Sequence, residues 1–152
     1  MAEDTIDLDK MMADVGPLVQ ATEIRQFEPE RWLVVFEDDF VIGVENDLDA
    51  KKLVFTTELG APPAGEEAAA YKLLLNVAAM WRETGGLRMG LDPKDDTVIQ
   101  IYDLPLAALE LEDLARQLQN FAQTAVHART VLAGSSVSAS EEIENLLVGM
   151  RV

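Results

Sequence analysis

Between Arg31 and Leu59 apolar residues return at every second position, in three short runs separated by acidic turns. "RWLVVF" sets Trp32, Val34 and Phe36 against Leu33 and Val35; "FVIGVEN" and "KKLVFTTEL" follow, parted by "EDD" and "DLDA". A two-residue period is that of a strand, and β-branched and aromatic side chains suit a pleated surface. Strands joined by such short turns pair as neighbours, so the segment predicts an antiparallel meander. The constraint goes further, because both faces of the first strand are apolar. One layer of helices covers one face of a sheet. The other face needs a further segment, a neighbouring subunit or a ligand.

The flanking segments change to a helical period. Thr5 precedes "IDLDKMMADV", in which Leu8, Met11, Met12 and Val15 recur at helical spacing until Gly16-Pro17 ends the run. Leu18 to Glu28 has mixed polarity and no period, and reads as loop or a frayed extension of the first helix. After "GAPPAG", whose prolines cannot donate to a ladder, Glu66 and Glu67 open a helix that runs to about Glu83 and stops at "TGG". "LRMGLD" and "TVIQIYDL" form a hairpin around "PKDD". A long last helix carries the stripe Leu111, Leu114, Leu118, Phe121, Ala125 and Leu132. The order is α-β-β-β-α-β-β-α, an α+β domain over residues 1–133 with an antiparallel sheet packed against helices. Residues 134–152 read as a linker and a short amphipathic helix. Ser138 and Glu141 can form a capping box there, and Ile143, Leu146, Leu147 and Met150 share one face.

The central helix, "YKLLLNVAAMWRE", is apolar on more than one side. Tyr71, Leu74, Leu75, Ala78 and Trp81 fall on one side and suit the sheet. Leu73, Val77 and Met80 fall on another, and a second copy of the chain is the expected cover.

Charge and composition exclude several functions. With 28 Asp plus Glu against 12 Lys plus Arg, the formal net charge is −16. That balance repels phosphate backbones and anionic lipid, so nucleic acid and membrane surfaces are not expected partners. The absence of cysteine removes thiolate catalysis and Cys-based zinc sites. The first residues lack the basic and apolar regions of a secretion signal, and no apolar run approaches membrane-spanning length, so a cytoplasmic protein is expected. His127, the single histidine, falls late in the last helix and makes a poor general base. No serine sits in a nucleophile elbow. The clusters Glu37–Asp39 and Asp92–Asp96 lack calcium-loop spacing and have turn composition. "TGG" follows a helix, where a phosphate cradle should follow a strand. No enzyme, metal or cofactor is expected.

Three strings resemble a known family, the class I type III secretion chaperones of the Tir-chaperone (CesT-type) family. They are "FVIGVENDLDAKKLVFTTELGAPP", "YKLLLNVAAMWRETGGLRMGLDP" and "IYDLPLAALELEDLARQLQNFAQTAVHARTVL". The likeness spans about residues 5–133 and rests on order and spacing, since the strings carry no catalytic residue. It implies a homodimer that binds an extended N-terminal segment of a secreted effector without nucleotide or metal. The matching effector-binding positions are Met11, Met12 and Val15 on the first helix, with Trp32, Val34 and Phe36 or their opposite-face neighbours on the sheet. The resemblance also places the central helix and "LRMGLD" at the dimer seam, giving Leu73, Val77, Met80, Leu87 and Met89. A binding or regulatory module of the same fold without a secretion client, like the YbjN proteins, is the alternative.

Overall fold

The computed structural model describes residues 6–134, so the expected tail helix lies outside the described residues. Six strands pair in the order β1-β2-β3-β4-β6-β5 in an antiparallel sheet, and the chain gathers into two compact units. Residues up to Phe55 with Asp103–Gln119 form unit 1; Thr56–Tyr102 with the residues from Asn120 form unit 2.

Unit 1 begins with α1 (Leu8–Leu18), capped by the Asp7 carboxylate, which accepts the Lys10 N–H at 3.1 Å. The helix passes Gly16 and takes Pro17 into its last turn, where the missing N–H removes one ladder bond and the helix stops a residue later. Gly16 is there for packing. A Cβ on it would lie 3.0 Å from Ile24 Cγ1, so α1 approaches the next strand more closely than any other residue permits.

That strand, β1 (Glu23–Glu28), occupies a segment expected to be loop. It pairs antiparallel with β2 (Arg31–Val35), which pairs in turn with β3 (Val41–Asp47). A single 3-10 turn, Glu37–Asp39, joins β2 to β3, and the first part of β4 (Lys52–Gly60) completes the meander. The element order therefore has one strand more than expected. On the face of Val34 and Trp32, β1 places Ile24, partly buried, and Gln26, which stays exposed, so its sequence shows no apolar period.

The register sorts side chains by face. Trp32, Val34, Ile42 and Val44 point inward with Leu53 and Phe55, and all are buried. Met12 and Val15 of α1, with Leu114 and Leu118 from the first part of α4 (Leu111–Leu132), complete a sealed core. The Gln119 amide also donates to the Leu18 carbonyl at 3.1 Å, tying α4 to the end of α1.

Unit 2 holds the rest of β4, α2 (Glu67–Ala79), α3 (Trp81–Thr84), β5 (Arg88–Leu91), most of β6 (Val98–Pro105) and the remainder of α4. The helix expected to be continuous breaks at Met80, whose ψ of 53° is not helical. Gly85 then closes α3 in the left-handed conformation that glycine adopts without strain. Leu73, Leu74, Val77, Leu87, Val98, Phe121, Ala125, Ala128 and Leu132 are buried. The buried Gln100 amide donates to the Phe121 carbonyl at 3.0 Å, and Arg129 donates twice to the Glu58 carbonyl, fastening α4 to β6 and β4.

Candidate functional site: open apolar faces

In unit 1 the residues between the inward ones turn the other way. Leu33 and Val35 of β2, Val41 of β3 and Val54 of β4 are apolar and only half buried. Leu33 pairs with Gly43 and Val35 with Val41, so valine and leucine surround a position without a side chain. Ion pairs border this patch, Arg25 with Glu23 at 3.0 Å and Arg31 with Glu45 at 3.0 Å, both well exposed. The Arg25 guanidinium is held above its usual pKa by its hydrogen bond to Glu23 and that residue's charge. Exposed pairs of this kind add little stability. They do frame an apolar centre with polar edges, the anatomy of a binding surface. Beside it β1 ends the sheet order, and Phe27 on it is 50% exposed.

The fold divides the sequence-derived contact residues by depth. Met12, Val15, Trp32 and Val34 lie in the core of unit 1, at most 2% exposed. Only Met11 and Phe36 keep partial access, and the Phe36 ring leans on Phe40 at 5.6 Å. Ile24 pairs with Val34 and meets α1 at Gly16, so Trp32 and Val34 lie on the α1 side of the sheet. The opposite-face neighbours, Leu33 and Val35, are the accessible ones. Val41 and Val54 escaped the sequence reading, although they carry the same alternation once the register is known.

Unit 2 separates its expected seam in the same way. Leu73, Val77 and Leu87 are buried within the chain, while Met80 and Met89 are half exposed. The side of the helix assigned to the sheet is instead partly open: Leu75 and Trp81 are among the most exposed apolar residues, with Leu91 of β5. The reason lies in the phase of the helix, because Leu73, Leu74 and Val77 together define the buried stripe and leave Leu75 outside it. An apolar hollow of about 220 Å³ runs between α2 and β5, lined by Tyr71, Leu74, Leu75, Met89 and Leu91.

In the Asp92–Asp96 turn the carboxylates are occupied with their own backbone. Asp92 accepts the Lys94 N–H at 2.9 Å and Asp95 accepts the Thr97 N–H at 3.0 Å. The latter bond holds the Asp95 carboxyl below the usual carboxylate range. Among the described residues no group of three His, Cys, Asp or Glu is placed to hold a metal ion, and no helix is long and apolar enough to cross a membrane. His127 is exposed on α4.

Comparison with known proteins places this arrangement. The sequence model of the Tir chaperone protein (CesT) family matches residues 23–129. The fold is similar to the ExsC–ExsE complex, at TM-score 0.70 and 16% identity over 89% of this chain and 100% of that one. It is similar to the HopA1–SchA chaperone–effector complex, at TM-score 0.65 and 15% identity over 82% of this chain and 98% of that one. A third similar structure is the Yersinia pestis type III secretion chaperone SycH with a stable fragment of YscM2. There the TM-score is 0.56 and the identity 20%, over 77% of this chain and 95% of that one. No curated protein matches the sequence significantly.

Proposed function

Because the chain belongs to the Tir chaperone protein (CesT) family, we infer that it is a non-catalytic, ATP-independent chaperone of type III secretion. It binds an extended N-terminal segment of a secreted effector in the cytoplasm and keeps it soluble and competent for export. The observation that carries this reading is the half-exposed apolar face of Leu33, Val35, Val41 and Val54, backed by a sealed core on the other side. An extended segment can lay alternate side chains on such a face and pair its backbone with the β1 edge. Met11 and Phe36 keep enough exposure to extend the contact. The role suits a chain of net charge −16, which stays soluble while carrying an apolar load. Two of the similar structures are described as a chaperone with an effector and a secretion chaperone with a protein fragment.

The working form in this reading is a homodimer joined through unit 2. Met80 and Met89 of the expected seam keep partial exposure there, beside the exposed Leu75, Trp81 and Leu91. Leu73, Val77 and Leu87 support that face from beneath.

Affinity capture of the tagged chain from its native host tests the function. The expected catch is a secreted protein held through its N-terminal segment, lost when Leu33 and Val35 are both changed to serine. Recovery of folded housekeeping proteins alone, indifferent to those changes, would count against it.

A further inference from the structure

We propose that a hollow in unit 1 seats an apolar side chain of the client segment, one flanked in that segment by lysine or arginine. The inference rests on the chaperone reading above and adds where, and with what chemistry, the segment is held. The hollow has a volume of about 750 Å³ and is walled by Ile6, Leu8, Leu48, Leu106 and Leu109. Leu48 stands 65% exposed in the β3–β4 turn. Two walls are tied together, because the Leu106 N–H donates to the Lys51 carbonyl at 3.1 Å and the Leu109 N–H to the Leu106 carbonyl at 3.1 Å. The rim of the hollow is therefore fixed by the backbone.

One wall residue, Asn46, is firmly fixed. Asn46 is fixed by Glu30 twice: its N–H donates to the Glu30 carbonyl at 2.9 Å and its Nδ2 to the Glu30 carboxylate at 2.6 Å. That fixes the carboxamide and leaves its Oδ1 buried with no donor among the described residues. An extended peptide brings alternate side chains to one face, which fits an apolar hollow with a fixed wall.

Charge selects the flanks. Glu110 lines the hollow, and Asp47, Asp49 and Glu112 adjoin its walls in sequence. Lys51 also lines it, while Lys52 is engaged with Asp103 at 2.8 Å. An acidic surround on a chain of net charge −16 attracts basic flanks and repels acidic ones.

The test uses the full chain and a fluorescein-labelled peptide with Leu-Leu between arginines, against a twin with glutamates in their place. Anisotropy should show saturable binding of the arginine peptide and binding weaker by about tenfold or more for the twin. Leu48→Asp and Glu110→Lys should each weaken the arginine peptide about tenfold. Val126→Asp, at an exposed position of unit 2, should leave it unchanged, with circular dichroism verifying the fold of each variant. Absence of saturable binding, or binding indifferent to both hollow variants, overturns the proposal. A tenfold gain on deleting residues 2–5 would assign the hollow to the chain's own N-terminal residues and overturn it too. The two readings fail separately. Client capture that needs Leu33 and Val35 but ignores Leu48→Asp removes the hollow and keeps the chaperone; a chain that captures no client removes both.

Discussion

Val34 and Val35 are adjacent in β2 and face opposite ways, so truncating each to alanine separates stability from function. Val34 is sealed, opposite Ile24 and Ile42. Val34→Ala removes two methyl groups from the core, worth about 0.8 kcal/mol each in transfer. The cavity left behind raises the cost to about 2–3 kcal/mol. For a chain of this size that lowers the melting temperature by roughly 5–10 °C. Val35 keeps partial exposure, so most but not all of the transfer term applies and no closed cavity forms. Val35→Ala should cost about 1–1.5 kcal/mol in stability, clearly less than Val34→Ala. In client binding the order reverses. Val35→Ala should weaken a captured client segment about fivefold, and the Leu33/Val35 double alanine variant roughly thirtyfold. Val34→Ala, measured well below its melting point, should bind normally. Urea titration followed by Trp32 fluorescence gives the stabilities. Trp81, the second of two tryptophans, is exposed and can be replaced by phenylalanine to clear the signal. Equal stability losses at the two positions would refute the assignment of faces. Equal binding losses would refute the division of labour between them.

Light scattering should find a dimer that Leu75→Glu converts to a folded monomer, whereas Val77→Glu, which buries a charge at a sealed position, should unfold the chain instead. Gly16→Leu should destabilise by about 1–3 kcal/mol in chemical denaturation, because its Cβ meets Ile24 at 3.0 Å, and Ile24→Ala in the same chain should recover part of the loss. The Asp113 carboxylate, hydrogen-bonded to Arg116 and to the Glu110 N–H, is held below the usual carboxylate range. A folded-state pKa depressed in this way adds stability above the unfolded value, lost as pH falls through the folded value. Carbon-detected titration should find Asp113 ionising below its value in the unfolded chain, and Asp113→Asn should remove that share of the acid sensitivity.

Strong periods were legible in the sequence and weak ones were not. The alternation in β2 to β4 gave the meander, the stripe from Leu114 to Leu132 gave α4, and "TGG" gave the helix stop at Gly85. β1 escaped because an edge strand with one apolar residue inside has no period to read. The break at Met80 escaped because no glycine or proline marks it. The site was half legible. Two apolar faces on β2 demanded two covers, but nothing in "RWLVVF" says which face meets α1. The register with Ile24 and the close approach at Gly16 decide that, and both come from residues distant in sequence from the patch. In α2, Leu73, Leu74 and Leu75 are chemically alike, and only the tertiary phase makes Leu75 the exposed one.

The central claim is that an extended client segment lies on the outer face of unit 1. A methyl NMR titration of the chain with the N-terminal segment of its captured client tests it most directly. Shifts are expected at Leu33, Val35, Val41 and Val54, with Val34 and Ile42 little changed and the bound segment extended. Undisturbed methyls on that face at saturating client, or a client that binds only as a folded domain, would contradict it.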